Sequence, residues 1–297
     1  MPSIREIRQR IRSIKNIAQI TKAMQMVASS KMRRAQERVQ HARPYSEQLY
    51  GLVSRLGSVA GEDLGNEVAL LQQRPVRRIG YVLITPDRGM CGALPSNINR
   101  KAAHSALEQQ QKLTENGVQP EVEYVAVGRK GRDFLLRTQQ NMVAEFTNLG
   151  DKPSINDASA IAQVAVEAFL KGEVDVVYLV YPKFINTVTQ QPITIQLLPV
   201  QPPAEVPGAE TQVQEYIYEP NAAEIFQALL PRYVDVQVYQ ALLETIASFY
   251  SAQMISMKNA TDSAKELVGD LTLTYNKVRQ AAITTQILEV VSGAEAL

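Results

Sequence analysis

From Arg232 to Leu297 the chain holds no proline and only two glycines, Gly269 and Gly293. Apolar or small residues recur there at steps of three and four: Val238, Leu242, Ile246, Phe249, Met254, Met257, Ala260, Ala264, Leu267, Leu271, Tyr275, Val278 and Ala282. That period predicts one amphipathic helix. Its length would be about 100 Å, several times the radius of a compact domain of this size. A stripe so long cannot be buried by the chain's own globular part alone. It demands a partner helix, a partner protein, or both.

The opposite end supplies a matching helix. Ser3 is placed to cap it, with Glu6 completing a capping box. Ile4, Ile7, Ile11, Ile14, Ile17 or Ala18, Thr21, Met24, Ala28, Met32, Ala35, Val39 and Ala42 mark its stripe. The register starts as heptads and is expected to broaden through Ile17, Ile20, Met24 and Val27, giving a coiled coil of irregular register. A kink or end is expected at Pro44, with the pattern resuming weakly to Leu56. Two such helices can pair antiparallel if the fold between them brings both ends together. Ala18, Ala28, Ala35 and Ala42 would let them approach closely.

The middle of the chain has a different pattern. Arg78–Thr85 is a near-continuous apolar strand of the kind found in buried parallel sheets. Helices are expected at Pro95–Asn116, Arg129–Gln140 and Ile155–Lys171, with further strands at Val122–Val127 and Val174–Tyr181. Such alternation means βαβ units. Thr187–Leu198 alternates and reads as an antiparallel edge, and 201–214 is a proline-rich loop. The expected fold is a long antiparallel coiled coil of the terminal helices plus a central α/β, Rossmann-like domain with a mostly parallel sheet. Its segments are 1–57 (N-terminal shaft helix), 76–200 (α/β domain), 201–220 (loop and foot) and 221–297 (C-terminal shaft helix).

Composition then limits the chemistry. A net charge of +1 hides a basic first segment, with eleven Arg or Lys against Glu6 and Glu37 up to Arg43. Arg8, Arg12, Lys15 and Lys22 flank the isoleucine stripe, as charged rims do beside a helix seam, so a protein partner is favoured over nucleic acid. Cys91 is the only cysteine, and His41 and His104 the only histidines, which leaves no metal set. A Cys91–His104 nucleophile pair would need a depressed thiol pKa near Arg88, and free cysteine is far more often packing. Gly128-Arg129-Lys130-Gly131 lacks phosphate-loop spacing and reads as a strand-to-helix turn. No active site is legible, and no cofactor is implied. The single cysteine, the lack of an apolar run near ~18 residues and the lack of a secretory pattern lead to the expectation of a cytoplasmic protein.

The last turns are unusual. From Gln280 to Leu297 only Glu289 and Glu295 are charged, while Ile283, Ile287, Leu288, Val290, Val291, Ala294 and Leu297 cover more than one face. An apolar sleeve supplied by other subunits is the expected cover. Arg279-Gln280 offers hydrogen-bond donors at the edge of that sleeve.

These features resemble the γ subunit of bacterial F-type ATP synthase, essentially end to end. The resemblance rests on Ile20–Gln36 (ITKAMQMVASSKMRRAQ), Asp87–Gly92 (DRGMCG), Gly128–Gly131 (GRKG), Tyr216–Pro220 (YIYEP), Tyr275–Thr284 (YNKVRQAAIT) and Gly293-Ala294. It implies a central-stalk rotor that transmits torque between the membrane c-ring and a catalytic α/β hexamer, with proton flow driving ATP synthesis. The implied subunit has no catalytic residue. Its partners would be the alpha, beta and epsilon subunits and the c-ring, one copy per complex, with no nucleic acid and only peripheral membrane attachment on the cytoplasmic face. Arg279, Gln280, Thr284 and Glu289 resemble the catch-loop and tip contacts, and Met24, Lys31, Arg33 and Arg34 the neck. Tyr216, Tyr218 and Glu219 resemble the foot surface that faces the c-ring and epsilon. Thr285-Gln286 departs from a common Gln-Glu, Pro95 replaces a common asparagine, and the chloroplast form's regulatory cysteine pair is missing. The competing readings are a stand-alone coiled-coil adaptor or nucleic-acid-binding protein, and a nucleotide-using enzyme built on the α/β domain.

Overall fold

A computed structural model describes residues 3–60, 68–115, 117–201 and 222–295. The elements run α1 (Ile4–Ala60), a short 3-10 turn (Ala69–Leu71), β1 (Arg78–Ile84), α2 (Leu94–Glu115), β2 (Glu121–Val127) and α3 (Arg129–Arg137). They continue with β3 (Asn141–Phe146), α4 (Ile155–Leu170), β4 (Val176–Phe184), β5 (Gln190–Leu198) and α5 (Ala222–Glu295). Two compact units result, one of Met1–Ser30 with Gln253–Leu297 and one of Lys31–Ala252. Each therefore contains part of both terminal helices.

The first unit is a helix pair. Ser3 N–H donates to Glu6 at 3.1 Å and Glu6 N–H to Ser3 Oγ at 3.3 Å, so the expected capping box is formed. The covered side of α1 follows Ile4, Ile7, Ile11, Ile14, Ala18, Thr21, Gln25 and Ala28 in unbroken heptad steps. The expected broadening is confined to Met24, which is half-buried beside the heptad line, while Ile17, Ile20 and Val27 are 52%, 59% and 56% exposed. Facing them, α5 covers Met257, Thr261, Ala264, Val268, Leu271, Tyr275, Val278 and Ala282. Val268 takes the place expected for Leu267, which is exposed. Arg8 donates to the Tyr275 hydroxyl at 2.7 Å, and the Thr21 and Thr261 hydroxyls lie 2.7 Å apart. As α1 advances from residue 8 to 21, α5 retreats from 275 to 261, so the helices are antiparallel. The threonine pair satisfies two hydroxyls inside the seam and helps pin its register.

The second unit is an α/β sandwich. The sheet order is β3-β2-β1-β4-β5, with only β5 antiparallel. Alternation along each strand separates two faces. Val82, Ile84, Val125, Val127, Val177 and Leu179 share one core with Ile161 and Phe169 of α4, Leu49 and Val53 of α1, and Phe226, Leu230 and Val234 of α5. On the other face Tyr81 stacks between Tyr124 and Tyr178, at 5.5 and 5.4 Å between ring centroids. Its hydroxyl lies 3.2 Å from that of Ser105 on α2.

Two local expectations are corrected. α1 does not end at Pro44, which is solvent-exposed, as is Gln40, whose carbonyl loses its helical donor. At an exposed position water can replace the lost donor, so the proline is tolerated. α3 stops at Arg137 rather than Gln140, and the chain then forms β3, an edge strand absent from the sequence expectation. Its six residues are few, and Val143, apolar but on the exposed side, blurs the alternation of exposed and half-buried positions. By contrast, Pro95 leaves its helix intact, because it sits in the first turn of α2, where no donor is needed.

Within the second unit α5 is covered nearly all round from Ala241 to Ala252. Glu244 is buried there and accepts hydrogen bonds from Phe184 N–H and Gln240 Nε2, each at 3.1 Å. Ser248 donates to the Pro182 carbonyl at 3.1 Å. Burial raises the Glu244 carboxyl above its ordinary value, outweighing those hydrogen bonds. The native state then keeps a proton that the unfolded chain has released, so stability falls as pH rises through the interval between the two values. Glu244→Gln should flatten this slope, measured by urea denaturation at a series of pH values. An unchanged slope would exclude Glu244 as its source.

Candidate functional site

The ends of β1 and β2 are where an α/β sheet normally binds a ligand. Here the donors at the start of α3 are already satisfied from within. Arg129 N–H donates to Asp87 Oδ1 at 3.0 Å, Lys130 N–H to the Pro86 carbonyl at 3.3 Å, and Gly131 N–H to Thr85 Oγ1 at 2.7 Å. The second oxygen of Asp87 accepts from Asn148 N–H at 3.1 Å. An internal carboxylate thus occupies the position an anionic ligand would take at a helix N-terminus. The Gly-Arg-Lys-Gly segment is a strand-to-helix turn. A cavity of about 200 Å³ remains beside it, lined in part by Ile84, Val127, Leu149, Leu242 and Phe249.

Cys91 is buried, and burial pushes its thiol up to about 11. A thiol that stays protonated is a poor nucleophile. Among the described residues no cluster of His, Cys, Asp and Glu could hold a metal ion. No described helix is long and apolar enough to cross a membrane.

The unpartnered surface lies elsewhere. Beyond Ala282 nothing among the described residues covers α5: Ile283, Ile287, Leu288, Val290 and Val291 are 46%, 58%, 60%, 73% and 49% exposed. Arg279, Gln280, Thr284 and Glu289 are all exposed on the same stretch. Gln280 and Thr284 stack one turn apart, the Thr284 hydroxyl donating to the Gln280 carbonyl at 3.0 Å. Glu289 lies about half a turn round the helix from Gln280, so these four residues present more than one face.

Met24 is half-buried in the helix pair, and Arg33 and Arg34 are exposed. Lys31 differs from them. Its ammonium donates to Asp151 Oδ2 at 2.6 Å and to the Tyr250 hydroxyl at 3.2 Å. Sequence reasoning gave Asp87 no role beyond its place in the Asp87–Gly92 motif and missed Asp151 and Tyr250, because the groups they serve are distant in the chain. The one available signal was Asp87 in a turn directly after a strand. Tyr216, Tyr218 and Glu219 lie outside the described residues.

Over residues 3–297 the chain matches the family model described as ATP synthase. It is 50% identical to the ATP synthase gamma chain of Roseiflexus castenholzii, over 100% of this chain and 99% of that one. To the ATP synthase gamma chain of Dehalococcoides mccartyi it is 49% identical over the full length of both. Its backbone is similar to a chain in the cryo-EM structure of Euglena gracilis mitochondrial ATP synthase, OSCP/F1/c-ring, rotational state 3. That likeness has a TM-score of 0.66 at 19% identity, over 99% of this chain and 94% of that one, and concerns the fold.

Proposed function

We propose, for a chain that belongs to the ATP synthase family as a gamma chain, the role of central-stalk rotor subunit. In this role it transmits torque between the membrane c-ring and the catalytic alpha/beta hexamer of a proton-translocating enzyme. Its partners are the alpha, beta and epsilon subunits and the c-ring. It works at the cytoplasmic face of the bacterial membrane and contributes no catalytic residue. The observation that carries this reading is the apolar end of α5, exposed over Ile283–Val291 and left uncovered by the described part of the chain. In water such a surface favours association, and a sleeve of surrounding subunits would bury it.

The mechanics follow from stiffness and weak contact. A paired helix resists bending, and an uneven surface turning inside bistable neighbours biases each in turn between its conformations. Contacts made and broken every revolution have to be individually weak. Exposed charged contacts of about 0–1 kcal/mol suit that requirement. Arg279 and Gln280 are assigned to the contact made once per turn, with Thr284 and Glu289 further along the tip. Met24, Arg33 and Arg34, with Lys31, form the neck, and Tyr216, Tyr218 and Glu219 the foot on the c-ring and epsilon. Residues 1–57 and 221–297 serve as the shaft, 76–200 as the α/β domain and 201–220 as the loop and foot.

Replacing Arg279 and Gln280 together by alanine should lower coupled ATP synthesis in the reconstituted complex about fivefold, the equivalent of ~1 kcal/mol. Unchanged synthesis in a fully assembled complex would remove these residues from the contact. Failure of the chain to copurify with alpha, beta and epsilon subunits would sink the rotor role itself.

A further inference from the structure

Three parts of the second unit converge on one side chain. Lys31 on α1 donates to Asp151, in the loop after β3, and to Tyr250 on α5. Its ammonium also lies 5.2 Å from the centre of the Tyr250 ring. Arg38, two turns along α1, donates to the Asp151 backbone carbonyl at 2.9 Å. The loop that carries Asp151 is itself anchored, since Asn148 N–H is held by Asp87, which also holds the start of α3. A continuous polar chain therefore runs from α1 and α5 through the loop to the ends of β1 and β2.

The apolar contacts nearby are of another kind. Ala35, Val39, Leu243 and Ala247 form a small separate cluster of mostly short side chains. Phe184, Tyr239 and Ile246 pack against it, and contacts of this sort hold the segments together without fixing a single bond direction. Hydrogen bonds are directional; the Lys31–Asp151 pair, with side chains 37% and 40% exposed, is individually modest, and its effect comes from converging with the Tyr250 and Arg38 bonds on one loop. A tangential load is resisted best where several of them meet.

We propose that Lys31, Asp151, Tyr250 and Arg38 form a torsional clamp that makes the α1 and α5 segments of this unit turn as one body with its sheet. These residues are positioning residues, and the inference rests on the rotor reading above. Partial burial alone would raise the Asp151 carboxyl, but Lys31 and Tyr250 hold it below its ordinary value of 3.8. Lys31 is raised above 10.5, chiefly by Asp151. Asp151's contribution is present above about 3.8 and lost as pH falls through its lowered value. That of Lys31 is present below about 10.5 and lost as pH rises through its raised value. The ion pair is intact throughout the neutral range.

The test is single-molecule rotation of the assembled complex, with the hexamer fixed and a bead on the α/β domain. Asp151→Ala removes the ion pair but keeps the carbonyl that Arg38 uses, and Lys31→Met removes both Lys31 hydrogen bonds. Each variant should widen the angular spread of the bead at a dwell about twofold, and Asp151→Ala, which lies outside the assigned neck contact, should do so with ATP hydrolysis retained. Asp151→Glu should restore the wild-type spread, a rescue that a purely structural role for Asp151 would not produce in this readout. Wild-type spread in both Asp151→Ala and Lys31→Met would overturn the clamp, even if thermal stability fell. A wild-type complex whose bead never turns would instead overturn the rotor reading, and the clamp with it.

Discussion

Gly128→Ala is expected to destabilise the α/β unit by about 4 kcal/mol or more, enough to unfold a marginally stable domain. Gly128 sits at φ 90°, and a Cβ there would lie 2.0 Å from the Thr85 carbonyl oxygen and 2.8 Å from its carbon. The backbone has no room to retreat. Thr85 N–H donates to the Val127 carbonyl and Gly128 N–H to the Phe146 carbonyl, each at 2.8 Å, which fixes the turn from both sides. Gly150 makes the control: its φ is +75°, but nothing lies within 4 Å of an added Cβ. Gly150→Ala should therefore cost only the left-handed backbone penalty of about 1–2 kcal/mol. Urea denaturation of the full chain separates the two. Equal losses would mean that the dihedral angle alone, and not the close approach to β1, makes Gly128 necessary.

Phe169→Ala is the second large effect, with an expected loss of about 3–5 kcal/mol from a deleted ring and the cavity it leaves. Phe169 is fully buried on α4, in the core that joins the sheet to the terminal helices. The Arg74 guanidinium lies 5.1 Å from its ring centre and donates to its carbonyl at 3.1 Å, so the loop before β1 is held by the same residue. Its neighbour Leu170 is 47% exposed. Leu170→Ala should change stability by no more than about 0.5 kcal/mol. A comparable loss from both variants, in the same denaturation experiment, would show that α4 does not bury the face described here.

Much of the fold is legible residue by residue. The Ser3 and Glu6 cap, the stripe on each terminal helix and the βαβ alternation are carried by neighbours within a few positions of one another. The α4 capping box, Ser154 with Asp157, is equally local. The errors have a common origin. Ile17, Ile20 and Val27 are apolar enough to suggest a broad stripe, and only the position of the facing helix shows that these three stay outside the covered side. β3 has no strong period of its own, and it becomes a strand because β2 offers a free edge beside it. Pro44 is read as a kink or end, but α1 continues through it at a position where Pro44 and Gln40 are both exposed and water can replace the lost donor.

The candidate surface divides in the same way. The apolar end of α5 is visible as composition, since an exposed helix needs charge and this one has almost none. The inward engagement of Lys31 is not visible, because Asp151 lies 120 positions away and Tyr250 lies 219. By itself the sequence determined two long helices, an α/β middle and an uncovered apolar tip, since periodicity and composition are local properties. Only the tertiary structure decided which apolar residues meet, why Gly128 has to be glycine, and which basic residues of α1, Lys31 and Arg38, are tied to the Asp151 loop rather than left exposed. Those depend on groups far apart in the chain being brought within hydrogen-bonding distance, and no local pattern encodes that distance.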